Sequence, residues 1–117
     1  MTVRRIVANV ATGDVAAARA FYAAVFGLET VMDHGWIVTL ASGERALTQV
    51  AIAREGGSGT PVPALSIEVD DLDAVHAKAV AAGCAIVYGP ADEPWGVRRF
   101  FLRDPAGTLV NVLVHAG

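Results

Sequence analysis

This chain has a single cysteine, little charge, no sizeable basic cluster and no long apolar run. One cysteine, Cys84, excludes an intrachain disulfide and fits a reducing compartment. It leads into Ala85-Ile86-Val87 and reads as a small buried hydrophobe, with no base nearby to make it a nucleophile. No apolar stretch approaches the roughly 20 residues that span a bilayer. The opening Met1-Thr2-Val3-Arg4-Arg5-Ile6-Val7-Ala8-Asn9-Val10 is too short in its apolar part for a signal peptide and reads as a strand. The expected location is cytoplasmic, with no membrane partner. The formal net charge is −3, and the only basic cluster, Arg98, Arg99 and Arg103, is flanked by Asp92, Glu93 and Asp104. That footprint is too small for nucleic acid. Charged residues make up 18% and hydrophobic ones 54% of 117 residues. A surface this apolar is expected to be covered in part by a second subunit, so the chain is expected to be a homodimer.

What is present is a repeat. Asp14-Val15 opens a segment that runs through Phe21-Tyr22 to Gly27, and Asp71-Leu72 opens a similar one that ends at Gly83. Each follows a β-like run and precedes three more. One βαβββ unit is therefore written twice, and such repeats fix an architecture before any other signal.

Asp14 is the N-cap of the first helix and Asp71 or Asp70 that of the second, because a carboxylate there accepts orphan amide protons of the first turn. Val15, Ala18, Phe21/Tyr22 and Val25/Phe26 form one stripe of the first helix; Leu72, Val75, Ala79 and Ala82 form that of the second. Gly27 and Gly83 supply left-handed stops. Strands are expected at about 3–10, 28–33, 36–41, 45–53, 64–70, 84–88, 97–103 and 108–115. Asp104-Pro105-Ala106-Gly107 is a turn in which Pro pre-sets φ and Gly accepts positive φ. The sequence thus predicts an α+β fold in one domain spanning 1–117: module 1 at about 1–55, a Gly/Pro-rich linker at about 54–63, and module 2 at about 64–117. Two tandem βαβββ modules would form a curved eight-stranded mixed sheet around a cleft, with the helices on its outer face.

Three segments resemble the vicinal oxygen chelate superfamily of glyoxalases, bleomycin-resistance proteins and extradiol dioxygenases. They are Asp14 through Phe21-Tyr22 to Phe26-Gly27-Leu28-Glu29, Ile67 to Asp73 with Ala82-Gly83, and Pro94-Trp95-Gly96-Val97-Arg98-Arg99 through Asp104-Pro105-Ala106-Gly107. The resemblance implies a divalent metal held by His, Glu or Gln on the first and last strands of each module. Its ligand positions map to Val7, seven residues before Asp14, to Ala64, seven before Asp71, to Asn111, four after Gly107, and to Thr48 or Gln49. Val and Ala cannot bind a cation and Asn is a weak neutral donor, whereas hard divalent ions want anionic oxygen or imidazole. No metal and no other cofactor is therefore expected. His34, His76 and His115 fall at separate places, as surface residues, with His76 pointing to solvent.

Alternation with Asn111 places Leu109 and Leu113 on the cleft face and Val110, Val112 and Val114 under a helix. Trp36, Val38 and Leu40 share a face that is a candidate cleft wall. The candidate ligand-binding residues are Val7, Asn9, Trp36, Gln49, Trp95, Arg99, Phe101 and Asn111, an apolar lining with a few placed polar groups. No pair stands out as acid and base, so no catalytic residue is assigned. The expected function is metal-independent binding of a small organic molecule between the modules, as in a drug-sequestering resistance protein. The alternatives are a metal-dependent lyase or dioxygenase with an atypical ligand set, a metal-free isomerase or epimerase, and a vestigial pocket in a protein whose role is dimerisation.

Overall fold

A computed structural model describes residues 2–43 and 48–116. The described elements follow the order β1 (Val3–Ala11), α1 (Val15–Phe26), β2 (Glu29–Asp33), β3 (Ile37–Ser42), β4 (Thr48–Ala53), β5 (Leu65–Val69), α2 (Leu72–Ala81), β6 (Ala85–Asp92), β7 (Val97–Arg103) and β8 (Leu109–His115). The α+β class and the doubled βαβββ order are as the sequence predicts. Within the units the strands pair as mixed sheet, in the order β2-β3-β4-β1 in the Val7–Val62 unit and β5-β8-β7-β6 in the other. Positions 45–47, expected as strand, fall outside the described residues. Two units divide the chain: Val7–Val62, and Pro63 onward together with the chain's start through Ile6.

The caps show why the two helices start where they do. Asp14 sits at φ −135° and ψ 87° and accepts from the Ala17 amide at 3.0 Å. Asp71 sits at −138° and 91° and accepts from the Ala74 amide at 3.1 Å. Gly27 closes α1 in the left-handed region, donating its N–H to the Ala23 carbonyl at 3.0 Å. In each unit the first and last strands then pair in parallel: Ala8 faces Val50, and Leu65 faces Val110. Parallel pairing needs a crossover, which the strands between them and the helix supply.

Each helix covers one face of its own sheet portion. In the Val7–Val62 unit, Val15, Ala18 and Tyr22 of α1 pack on Val38, Leu40 and Ile52. In the other unit, Leu72, Val75 and Ala79 of α2 pack on Val69, Phe100, Val110 and Val112, with Cys84 against the same cluster. Burying each such aliphatic or aromatic side chain contributes about 1.5–3 kcal/mol. The placement of Val110 and Val112 under a helix follows the sequence reading. Trp36, Val38 and Leu40 do not share a cleft wall: Val38 and Leu40 pack in the core beneath α1, since strand alternation fixes a shared face but not which side the helix takes. His76 also departs from expectation. It is half-buried, edge-on to Phe100 at 5.0 Å.

Asp70 takes no part in the helix cap. Its carboxylate accepts from the Thr2 amide at 2.7 Å, and its own N–H donates to the Thr2 carbonyl at 3.1 Å. The hydrogen bond from Thr2 lowers the Asp70 pKa below its ordinary 3.8. A carboxyl whose pKa falls on folding stabilises the fold above its unfolded value, and this is lost as pH drops through the folded value. Urea melts should therefore show, below pH 3.8, an acid-induced loss of stability in the parent that Asp70→Asn lacks. At neutral pH, Asp14→Ala and Asp71→Ala should each cost about 1 kcal/mol, and the Asn variants only a few tenths.

Candidate functional site

The face of the sheet opposite α2 carries the candidate site. Phe100 and Leu102 of β7 turn toward α2, so Val97, Arg99 and Phe101 turn to the other side. Register builds the rest. Ser66 of β5 faces Asn111 of β8, Asn111 faces Phe101 of β7, and Phe101 faces Tyr88 of β6. A parallel row runs from Glu68 through Leu113 and Arg99 to Ala91. Neighbours in a row stand about 5 Å apart, and the rows about 7 Å apart along the strands.

The same turn closes both ends of β7. In Asp104-Pro105-Ala106-Gly107 the Gly107 N–H donates to the Asp104 carbonyl at 2.9 Å and the Asp104 N–H to the Thr108 carbonyl at 3.0 Å. In Glu93-Pro94-Trp95-Gly96 the Gly96 N–H donates to the Glu93 carbonyl at 3.2 Å and the Glu93 N–H to the Val97 carbonyl at 2.8 Å. Both glycines adopt positive φ. The side chains differ in use. The Asp104 carboxylate folds back to accept from the Ala106 and Thr108 amides at 2.9 and 2.8 Å. The Glu93 carboxylate is one methylene longer and leaves its turn for the sheet face.

There Glu93 meets Arg99. Its Oε2 accepts from Arg99 Nε at 2.9 Å and lies 2.7 Å from Nη2, while its Oε1 accepts from the Tyr88 hydroxyl at 3.0 Å. The two charged side chains are only 3% and 4% exposed. Three rings surround the guanidinium, at 5.3 Å for Tyr88, 4.9 Å for Trp95 and 4.7 Å for Phe101. Each such contact contributes about 0.5–2 kcal/mol, more when dry. β6 reaches this position through a register shift between Tyr88 and Ala91, where Gly89 has φ +74°. A Cβ on Gly89 would meet the Arg99 carbonyl oxygen at 2.6 Å, so only glycine lets β6 approach β7 here.

Asn111 completes the face. Its Nδ2 donates to Ser66 Oγ at 3.1 Å, and its Oδ1 is buried without a hydrogen-bond partner. At one end of the same face Glu68 holds Arg5 at 3.0 Å and His115 Nδ1 at 3.1 Å. A hollow of about 350 Å³ on the α2 side, lined by Val3, Leu65, Ile67, Val75 and Val110, is almost wholly apolar and lacks converging polar groups that would orient a ligand.

Of the sequence-predicted residues, the structure brings together Trp95, Arg99, Phe101 and Asn111. Val7, Asn9, Trp36 and Gln49 belong to the other unit. In it Asn9 pairs with Ala51, on the face away from Val10, Val50 and Ile52, which pack toward α1. Gln49 stands two positions before Ala51 and shares its face, and Val7 is buried. Trp36 precedes β3 and stacks on His34 at 6.5 Å. Tyr88 and Ser66 escaped the sequence reading. The matched turns Glu93-Pro-Trp-Gly and Asp104-Pro-Ala-Gly were the available signal for Glu93.

The register also tests the metal implied by the resemblance. Val50 pairs with Ala8 as Val110 pairs with Leu65, so the place Asn111 takes on β8 is taken on β4 by Ala51, not by Thr48 or Gln49. The four positions thus hold Val7, Ala64, Ala51 and Asn111, with no anionic oxygen or imidazole among them. These residues do not fit a divalent cation.

Residues 4–112 match the model of the Glyoxalase/Bleomycin resistance protein/Dioxygenase superfamily, and the chain belongs to that family. It is 36% identical over 106 residues to "Putative glyoxylase CFP32" of Mycobacterium bovis, covering 85% of this chain and 39% of that protein. The chain thus spans well under half the length of the curated relatives it matches. Among solved structures, an NAD-dependent benzaldehyde dehydrogenase from Legionella pneumophila aligns with a TM-score of 0.77 at 12% identity, over 94% of this chain and 98% of that one. A Streptomyces coelicolor methylmalonyl-CoA epimerase variant in complex with 2-nitronate-propionyl-CoA aligns at 0.72 and 21%, over 99% and 100%. At these identities the structural likenesses show the fold alone.

Removing one member of a buried ion pair leaves the other uncompensated, at a cost of about 3–5 kcal/mol. Arg99→Met and Glu93→Gln should each destabilise strongly in denaturant melts, and the Glu93→Gln/Arg99→Met double variant by much less than their sum. Gly89→Ala should destabilise by a comparable amount, because both its φ and the Arg99 carbonyl oppose a side chain.

Proposed function

We propose that this chain is a metal-independent, small-molecule-binding protein of its superfamily, with a role of the drug-sequestering kind. The observation that carries the reading is the Glu93–Arg99–Tyr88 cluster beside Asn111. Burying two charges costs several kcal/mol per ion, and apolar residues of similar volume would pack at no such cost. A rigid polar cluster walled by Trp95 and Phe101, with an acceptor beside it, is the composition of a ligand site: apolar walls and a few fixed hydrogen-bonding groups. The donor set at Val7, Ala64, Ala51 and Asn111 supports a role without a metal. A fluorescence screen tests this. Compounds that quench or shift Trp95 emission should bind equally with and without EDTA, and Trp95→Ala should weaken them by about 1–3 kcal/mol. Hits unaffected by Trp95→Ala, or a stoichiometric metal that Asn111→Ala removes, would contradict it.

One observation favours a second reading, a metal-free isomerase or epimerase. Glu68 orients the His115 imidazole from 3.1 Å, as a carboxylate does for a general base. Turnover would show as solvent deuterium entering a bound compound, lost in His115→Ala.

A homodimer in a reducing, cytoplasmic setting goes with the first reading. α1 has no fully buried residue, and Phe21, Val25 and Phe26 are exposed on it. Among the described residues no helix is long and apolar enough to cross a membrane. Light scattering at micromolar concentration should give a dimer, and Phe21→Glu should shift it toward monomer.

A further inference from the structure

The hollow on the α2 side has no part in the binding role proposed for the opposite face, and its shape and chemistry describe an occupant of their own. We propose that it is a second binding site, which takes one unbranched alkyl chain of about ten carbons from a free single-chain amphiphile.

The shape follows β5. Leu65, Ile67 and Val69 alternate along one face of that strand, and all three line the hollow. Four strand steps separate the first from the last, about 13 Å, the length of an extended chain of about ten carbons. Both ends are marked. Thr2 and Asp70 exchange hydrogen bonds, which sets Val3 at the Val69 end. Asp104 follows the Arg103–Leu109 pair, and Ala64 donates to the Leu109 carbonyl at 2.9 Å, which sets Asp104 at the Leu65 end. Val110 and Val112, in register with Leu65 and Ile67, form the floor, and Val75 reaches in from α2. The volume, about 350 Å³, is that of a small-molecule pocket.

The chemistry selects hydrocarbon. Apart from Asp104, every lining residue is Val, Leu or Ile. The Asp104 carboxylate accepts from the Ala106 and Thr108 amides at 2.9 and 2.8 Å, within its own turn. Water needs two to four polar partners to settle in such a space, and native interiors leave few voids larger than one water. A polar ligand would give up its hydrogen bonds to water with little in return. An alkyl chain gives up none, and each methylene it buries strengthens its hold. A protein partner would need about 800 Å² of this chain's surface. Here Leu65, Ile67 and Val75 are half-buried, so the apolar surface is recessed, and of the lining residues Val3 alone is exposed, at 47%. A bilayer, likewise, would meet a recess and not an apolar face.

A homologous series tests this. The protein, with its methyl groups ¹³C-labelled, is titrated with 1-butanol, 1-hexanol, 1-octanol, 1-decanol and 1-dodecanol. Affinity should rise about fourfold per methylene up to 1-decanol and level off at 1-dodecanol. The methyl shifts should centre on Leu65, Ile67, Val75 and Val110. Val75→Phe puts a ring into the hollow and should weaken 1-decanol about tenfold or more. Val3→Glu, at the exposed rim, should weaken it severalfold and decides the matter alone if Val75→Phe does not fold. Phe21→Glu should leave 1-decanol binding unchanged. Affinity that does not grow with chain length, shifts centred on Phe21, parent-like 1-decanol binding in Val3→Glu, or flotation of the protein with phosphatidylcholine vesicles would each overturn the inference. Shifts centred on Trp95 would also overturn it while supporting the binding role of the other face.

Discussion

A single ion pair, Arg99 with Glu93, organises the face of the sheet opposite α2. It ties the end of β6 to the middle of β7, with Tyr88 adding a second tether from within β6. The rings of Tyr88, Trp95 and Phe101 take their places around the guanidinium. Such a pair has no stabilising advantage over hydrophobic packing. What it gives is a fixed arrangement: a carboxylate with both oxygens engaged and a cation held in a set plane. The Gly89 approach and the Glu93-Pro94-Trp95-Gly96 turn are the backbone conditions that allow it.

The two turns at the ends of β7 show how one methylene redirects a carboxylate. Both have the X-Pro-x-Gly form and the same two backbone hydrogen bonds. With aspartate at the first position, the carboxylate is absorbed by its own turn. With glutamate, it projects past the turn and reaches the sheet face. A Glu93→Asp change would keep the turn and bring the carboxylate back within reach of its amides.

Much of the fold was legible because its signals are local. Asp14 and Asp71 are caps whatever they pack against, Gly27 and Gly83 stop helices by φ alone, and the Asp104 turn needs only its own four residues. The alternation that put Val110 and Val112 under a helix also held. Less was legible where strand pairing decides. Tyr88 joins the site because β6 continues through Gly89 and Pro90 with a shifted register, which alternation along a single strand cannot reveal. Val38 and Leu40 share a face as expected, yet only the position of α1 shows that this face is the core. The fourth ligand position moved from Thr48 or Gln49 to Ala51 once the pairing with β1 was known. Trp95, Arg99, Phe101 and Asn111 were named from the chain alone; their assembly around Glu93 was not.

The central claim is that this face binds a small organic molecule without a metal. Backbone amide chemical-shift mapping, with a screened compound added in the presence of EDTA, tests it most directly. The account predicts perturbations centred on Ser66, Tyr88, Trp95, Phe101 and Asn111, saturating with the compound and insensitive to the chelator. Perturbations confined to the exposed surface of α1, or binding abolished by EDTA, would contradict it.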